Sequence, residues 1–274
     1  MEQMLIQTCP NCTTHFSGHY CHECGQKAGD LKYTVKGMLY DLFFSTFHIE
    51  KKGLPFTIRE LTIQPGVAIR KVLDGQRLYL YPAFKYLVLM GALVIIFSLR
   101  YNFFHNEITQ VSENKTLPMW LSLEMEHEVF FESFFKFAED EATLLNIMAV
   151  PVFALFSWLL LSGGRYNFAE NLILNTFITA QQLFFLILLV PFFEFVPQFR
   201  QALIGIYTIG IMIYNGWAFL QFFSPGKISI ATVLLTALAV LFSYLYQLPL
   251  NMLVYYVYEM FVEPNIHWVP SIVP

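Results

Sequence analysis

Charge is what this sequence has least of: 13% of its 274 residues are Asp, Glu, Lys or Arg, against about 25% in an average soluble domain. Hydrophobic residues make up 56% of the chain and aromatics 18%, so a water-soluble surface would be hard to cover. Cysteine is scarce as well. All four cysteines lie before residue 25, which excludes a disulfide framework spread over the fold. The first 30 residues hold no apolar run longer than Met4-Leu5-Ile6, so no secretory signal peptide is expected. There is no phosphate-cradling glycine loop and no Ser or Cys with a plausible general base. No ionisable side chain lies deep in an apolar run. No internal repeat is evident, and many transporters are built on one. These absences lean against an enzyme, while an intramembrane enzyme acting on lipid stays open.

Long apolar runs are what the sequence does have. A spanning helix needs roughly 20 mostly apolar residues. Five stretches qualify: 82–101, 142–161, 171–193, 201–223 and 228 to about 249. Pro151 in the second is tolerated in lipid and predicts a kink. Residues 251–262 are apolar and aromatic, but Glu259, Glu263, Pro264, Pro270 and Pro274 argue against a sixth span. That segment either extends the fifth helix or lies at the interface. The short connections 162–170, 194–200 and 224–227 make successive spans antiparallel neighbours. The expected fold class is an all-α polytopic membrane protein of about five transmembrane helices, residues 82–274, with a small N-terminal zinc ribbon, residues 1–29.

Charge distribution predicts orientation. Residues 1–85 hold 10 of the 16 Lys and Arg, while 102–141 hold nine acidic residues and only Lys115 and Lys136. Lys and Arg are retained on the cytoplasmic side, so the N-terminus is expected inside and the 102–141 loop outside. Glu194 is expected at the interface. Residues 119–138 within the loop read as an amphipathic helix, with Phe130, Phe131, Phe134 and Phe135 apolar. The Glu124-x-x-His127 pair there is single, and such metal-binding pairs usually come in duplicate. Residues 30–81 read as short amphipathic helices over 35–47, 55–63 and 67–73, broken at Lys51-Lys52-Gly53, Gln64-Pro65-Gly66 and Asp74-Gly75. None can span. Two arrangements are open. The helices lie on the membrane surface with Arg70, Lys71, Arg77 and Lys85 at lipid phosphates, or they form a bundle packed on the membrane domain.

Cys9, Cys12, Cys21 and Cys24 form two C-x2-C knuckles separated by eight residues. Each knuckle turns two thiolates toward one point, and two knuckles complete a tetrahedron. Thiolate ligation selects zinc, or less often iron, and four ligands leave no open position for catalysis. The rivals are two disulfides, disfavoured in the cytoplasm, and a redox pair, which would need a thioredoxin-like unit. His15, His19 and His22 are nearby and are expected around the ligands rather than among them. Lys27 is the only basic residue before Lys32, a poor footprint for nucleic acid. A protein partner is the better expectation.

The motifs resemble those of an uncharacterised group of bacterial polytopic inner-membrane proteins with an N-terminal zinc ribbon. The matching elements are Tyr20-Cys21-His22-Glu23-Cys24-Gly25-Gln26, then Leu61-Thr62-Ile63-Gln64-Pro65-Gly66, Gly75-Gln76-Arg77 and Pro82. The group tends to open a later span with Glu-His, where this chain has Glu170-Asn171. The resemblance implies a bacterial inner-membrane location and no particular reaction.

Polar residues recur within the later spans: Asn171, Asn175, Thr179 and Gln182 on one face, Thr208 and Asn215 seven apart, and Gln247 in the last run. They predict either helix–helix hydrogen bonds or a polar cavity. The leading expectation is a membrane assembly, scaffold or regulatory subunit that docks a protein through its ribbon. The alternative is a small-molecule or lipid transporter using these polar faces.

Overall fold

The computed structural model describes residues 6–28, 33–36, 53–101, 134, 137, 142–226 and 228–261. Two short strands, β1 (Gln7–Thr8) and β2 (His15–Phe16), pair antiparallel with Gln7 opposite Phe16 and Thr8 opposite His15. Among the described residues seven longer α-helices follow. They are α1 (Gly53–Ile63), α2 (Pro65–Leu73), α3 (Ala83–Tyr101), α4 (Ala142–Leu161), α5 (Phe168–Phe195), α6 (Arg200–Phe223) and α7 (Ile230–Phe261). A 3-10 turn, Pro197–Phe199, joins α5 to α6.

Among the described residues, four helices can cross a membrane by length and composition: α4 over Thr143–Leu161, α5 over Phe168–Phe192, α6 over Ala202–Phe223 and α7 over Ile230–Tyr258. This is the make-up of an integral membrane protein. The first of the five expected spans is a helix too, α3, but its apolar stretch Ala83–Ser98 is shorter. Its 19 residues reach about 28 Å, just under a hydrocarbon core of about 30 Å. The last span is longer than the sequence pattern suggests. α7 runs through Pro249 to Phe261 without stopping, so residues 250–261 extend it. Neighbouring helices and local adjustment let a membrane helix carry an internal proline.

α5 is the centre of the bundle. Of its spanning window 72% is buried, against 22% for α6 and for α7. It packs most extensively on α3, then on α4. The outer faces of α6 and α7 carry Ile206, Ile209, Ile213, Leu234, Leu241 and Leu245, all exposed, as lipid-facing side chains should be. α5 starts with a capping box. The Asn167 side chain accepts from the Glu170 amide at 2.9 Å, and the Asn167 amide donates to the Glu170 carboxylate at 2.8 Å. Two orphan donors of the first turn are thereby satisfied.

α1 and α2 form a platform packed against α5 and α6. Leu61, Ala68, Ile69, Val72 and Leu73 join the main core with residues of α3, α5 and α6. Two side-chain bonds fix this docking, and a third holds one of their donors. Tyr214 of α6 donates to the Leu61 carbonyl at 2.9 Å, Gln181 of α5 to the Thr62 hydroxyl at 2.9 Å, and Tyr86 of α3 to Gln181 Oε1 at 2.6 Å. The platform is thus a bundle packed on the spans. Of the expected outer segment 119–138 only Phe134 and Phe137 are described, and their rings pack on Tyr255 of α7 at 5.7 and 5.2 Å. The rest of the 102–141 loop, the Glu124–His127 pair, most of the 35–47 stretch and residues 262–274 lie outside the described residues. So does the Glu194 side chain.

Candidate metal centre and its platform

The two knuckles repeat one backbone pattern. In the first, the Thr13 amide donates to the Cys9 carbonyl at 2.8 Å and the Cys9 amide to the Thr14 carbonyl at 2.9 Å. In the second, the Gly25 amide donates to the Cys21 carbonyl at 2.8 Å and the Cys21 amide to the Gln26 carbonyl at 2.9 Å. The residue after each second cysteine takes a left-handed conformation, Thr13 at φ 61 and Gly25 at φ 78. Glycine adopts this at little cost, whereas a β-branched residue is strained there. The short β1–β2 pair and a bridge between Tyr20 and Lys27 hold the knuckles face to face.

The four Sγ atoms all lie within 4.8 Å of one another. Two cross-knuckle separations, Cys9 to Cys24 and Cys12 to Cys21, are 3.5 Å. A tetrahedron with metal–sulfur bonds of about 2.3 Å has edges of about 3.8 Å, so the donor set fits a tetrathiolate ion. At 3.5 Å the sulfurs are not bonded to each other, and all four are free thiols. Their environments differ. Hydrogen bonds from Thr14 lower the Cys12 thiol to about 6. Burial pushes the Cys24 thiol up to about 12. Cys9 and Cys21 are buried with Phe16, and beyond the cysteines Ala28 alone among the described hydrophobic residues packs on this cluster. So small a core needs another source of stability.

His15, His19 and His22 are exposed. His15 Nδ1 is bonded to the Thr8 hydroxyl at 3.0 Å, so its role lies in the strand pair. Among the described residues, Ile6 and Tyr20 are the large apolar side chains most exposed on the ribbon, at 77% and 57%.

The ribbon meets the platform through Gln26, whose Nε2 donates to the Gly75 carbonyl at 2.7 Å. Two of the motif elements noted in the sequence therefore touch. The platform residues expected at lipid phosphates have protein partners. Arg70 donates to the Gln221 and Phe222 carbonyls, the latter at 2.8 Å, and so caps the C-terminal end of α6. Lys71 donates to the Tyr79 hydroxyl at 2.9 Å and lies over its ring at 4.5 Å. Arg77 sits over the Tyr33 ring at 4.8 Å. Lys85 is half-buried at the start of α3, and it too has a partner. Below this layer Glu60 accepts from Tyr79 at 2.5 Å and from Gln64 at 2.9 Å. Desolvation pushes its carboxyl up, but these bonds and the charges of Lys71 and Arg59 outweigh it, so the group is held below its ordinary value.

Gly66 explains the Pro-Gly pair. Pro65 begins α2, where its missing N–H costs nothing. Gly66 lies directly against α6, with no room for a Cβ beside the Phe222 amide, the Ala218 carbonyl and Gln221 Cβ. Its amide donates to Gln221 Oε1 at 3.2 Å.

Five of the expected polar residues, Asn171, Asn175, Gln182, Asn215 and Gln247, have hydrogen bonds across helices. Asn171 accepts from Ser157 of α4 at 3.1 Å and donates to Ser162 at 2.8 Å. Asn175 donates to Ser157 at 2.9 Å. Gln182 donates to Asn215 of α6, which donates to Tyr244 of α7 at 3.0 Å. Gln247 donates to Asn146 of α4 at 3.1 Å. The buried Thr179 hydroxyl has no hydrogen-bond partner among the described residues. Thr208 is exposed and bonds the Ile204 carbonyl of its own helix at 2.9 Å, so it does not join the group. Sequence reasoning missed Ser157, Asn146 and Tyr244. In the runs that contain them, a lone Ser, Asn or Tyr carries no pattern that marks it as a partner.

Comparison with family models, curated proteins and solved structures finds no match to this chain.

Proposed function

We propose that this chain is a membrane-embedded adaptor, an assembly or regulatory subunit that docks a protein partner through a zinc-stapled ribbon. In this reading Cys9, Cys12, Cys21 and Cys24 hold one structural zinc ion. Zinc matches four thiolates at tetrahedral separations, and the closed ligand set makes the site architectural. The chain sits in a bacterial inner membrane with the ribbon cytoplasmic, as the Lys and Arg bias and the motif resemblance imply. The observation that carries the proposal is the donor geometry on a module with almost no core of its own. Such a module folds around its metal, and its exposed Tyr20 and Ile6 are the side chains a partner would cover. Aromatic anchors of this kind dominate protein interfaces. With two basic residues in 32, Lys27 and Lys32, nucleic acid is a poor fit.

The transporter alternative draws less support. Asn171, Asn175, Gln182, Asn215 and Gln247 are engaged with one another and with Ser157, Tyr244 and Asn146. That is what helix–helix association in lipid uses.

The test is affinity purification of the full chain after in-cell crosslinking, from wild type and from Tyr20→Ala and Cys21→Ser variants. The expected result is a stoichiometric partner that both variants lose while still inserting in the membrane. A wild-type chain that purifies alone refutes the adaptor reading.

A further inference from the structure

Gln26 stands two residues beyond Cys24, is only 6% exposed, and is bonded at 2.7 Å to Gly75, which lies 49 positions along the chain. Gly75 occupies the turn between α2 and α3, at φ 106. Beside this bond lies a cleft of about 240 Å³ shared by the two modules. Cys9, Gln26 and Lys27 line it from the ribbon, and Gly75 and Arg77 line it from the platform. Among the described residues its charged lining groups are Lys27 and Arg77, both cations, with no carboxylate.

A divalent cation held by four thiolates carries a net charge of about −2. In a partly desolvated place that charge is stabilised by cations nearby. Lys27 and Arg77 supply one from each side of the junction. Arg77 is positioned from the platform side, over the Tyr33 ring.

We infer that the Gly75–Arg77 turn of the platform belongs to the surroundings of the metal centre, so that metal loading and ribbon docking are linked. An ion in the ribbon holds Gln26 on Gly75, and the docked turn raises the ribbon's affinity for the ion. Such coupling is reciprocal by necessity. The platform extends it into the bundle. α2 grips the end of α6 through Arg70 and Gly66, and α1 meets α5 through Thr62 and Gln181. The ribbon's metal state therefore bears on the end of α6 and the middle of α5.

This inference rests on the metal reading above, and the experiment separates the two. The full chain is purified in detergent and its zinc affinity measured by competition with a chromophoric chelator. Arg77→Gln should weaken zinc binding about tenfold, the low end of what removing groups around metal ligands costs. Arg77→Lys, which keeps the charge, should restore most of the loss. Arg165→Gln removes an exposed cation between α4 and α5 and should leave affinity unchanged. Chelation should also speed hydrogen exchange of the Gln76 and Tyr79 amides, which close the turn with 3.0 Å bonds to the Lys71 and Gln76 carbonyls. The linkage is overturned if Arg77→Gln binds zinc as tightly as wild type, if Arg77→Lys is as weak as Arg77→Gln, or if chelation leaves exchange at the turn unaltered. A wild-type chain that binds no zinc removes the metal reading itself, which is a different result.

Discussion

Gly66→Ala puts two forces of opposite sign on one methyl group. Inside a helix, alanine is preferred over glycine by roughly 0.5–1 kcal/mol, so propensity alone predicts a more stable α2. Packing predicts the reverse. The new Cβ would lie 2.5 Å from the Ala218 carbonyl oxygen and 2.6 Å from Gln221 Cβ, and would press on the Phe222 amide. Two of those three groups are backbone and cannot rotate away, so α2 must lift off α6. Overpacking of this kind costs about 1–3 kcal/mol. Lifting also stretches the Arg70 bonds to the Gln221 and Phe222 carbonyls, and charged hydrogen bonds are worth about 1.5–3 kcal/mol. The net expectation is a loss of roughly 2–4 kcal/mol. Hydrogen exchange over residues 65–73 in detergent reads it, as at least a roughly thirtyfold faster exchange of the α2 amides. Gly210→Ala is the control, because nothing lies within 4 Å of its Cβ position and propensity should prevail there. A Gly66→Ala protein with wild-type protection in α2 would refute the packing argument.

At Gly25, φ 78, alanine should cost about 1–2 kcal/mol and weaken zinc binding roughly tenfold by chelator competition. Thr13→Gly relieves the matching strain at φ 61, so its zinc binding should equal or exceed wild type. Asn175→Leu removes the bond to Ser157 and should cost about 1 kcal/mol in a detergent unfolding titration. Thr208→Val, at an exposed position bonded within its own helix, should cost far less. Glu60 is held below its ordinary value, so its contribution is full above the unfolded carboxyl value of about 4.3. It fades as pH falls through the lower folded value. Thermal unfolding of wild type should therefore lose stability in acid relative to Glu60→Gln, and parallel pH curves would contradict that.

Short-range patterns were legible and long-range partners were not. Two cysteines three positions apart declare a knuckle, and the structure brings all four sulfurs together. The run 142–161 declares a helix because lipid demands length and apolarity, and α4 has those bounds. Asn167 and Glu170 spell a capping box three residues apart, a signal present in the sequence that places the start of α5 at Phe168, three residues before the apolar pattern begins at Asn171. Gln64-Pro65-Gly66 reads as a turn, yet Pro65 and Gly66 open α2, because proline suits a first helical turn as well as a break. Pro249 lies inside α7, which settles the extension that the sequence left open. Arg70 shows its charge in the sequence, but its partners lie 151 and 152 residues away on α6. No local pattern announces a side chain that caps another helix. Gln26 is similar: its position after Cys24-Gly25 is visible, while its bond to Gly75 exists only in the fold.

The central claim is a membrane protein whose ribbon is built around a tetrathiolate zinc ion. Elemental analysis of the full chain, purified without added metal, tests it most directly. The account predicts one zinc per chain in wild type, no bound zinc in the Cys21→Ser, Cys24→Ser double variant, and normal membrane insertion in both. A wild-type chain that carries no metal, yet keeps slow hydrogen exchange at the Thr13 and Gly25 amides, would contradict it.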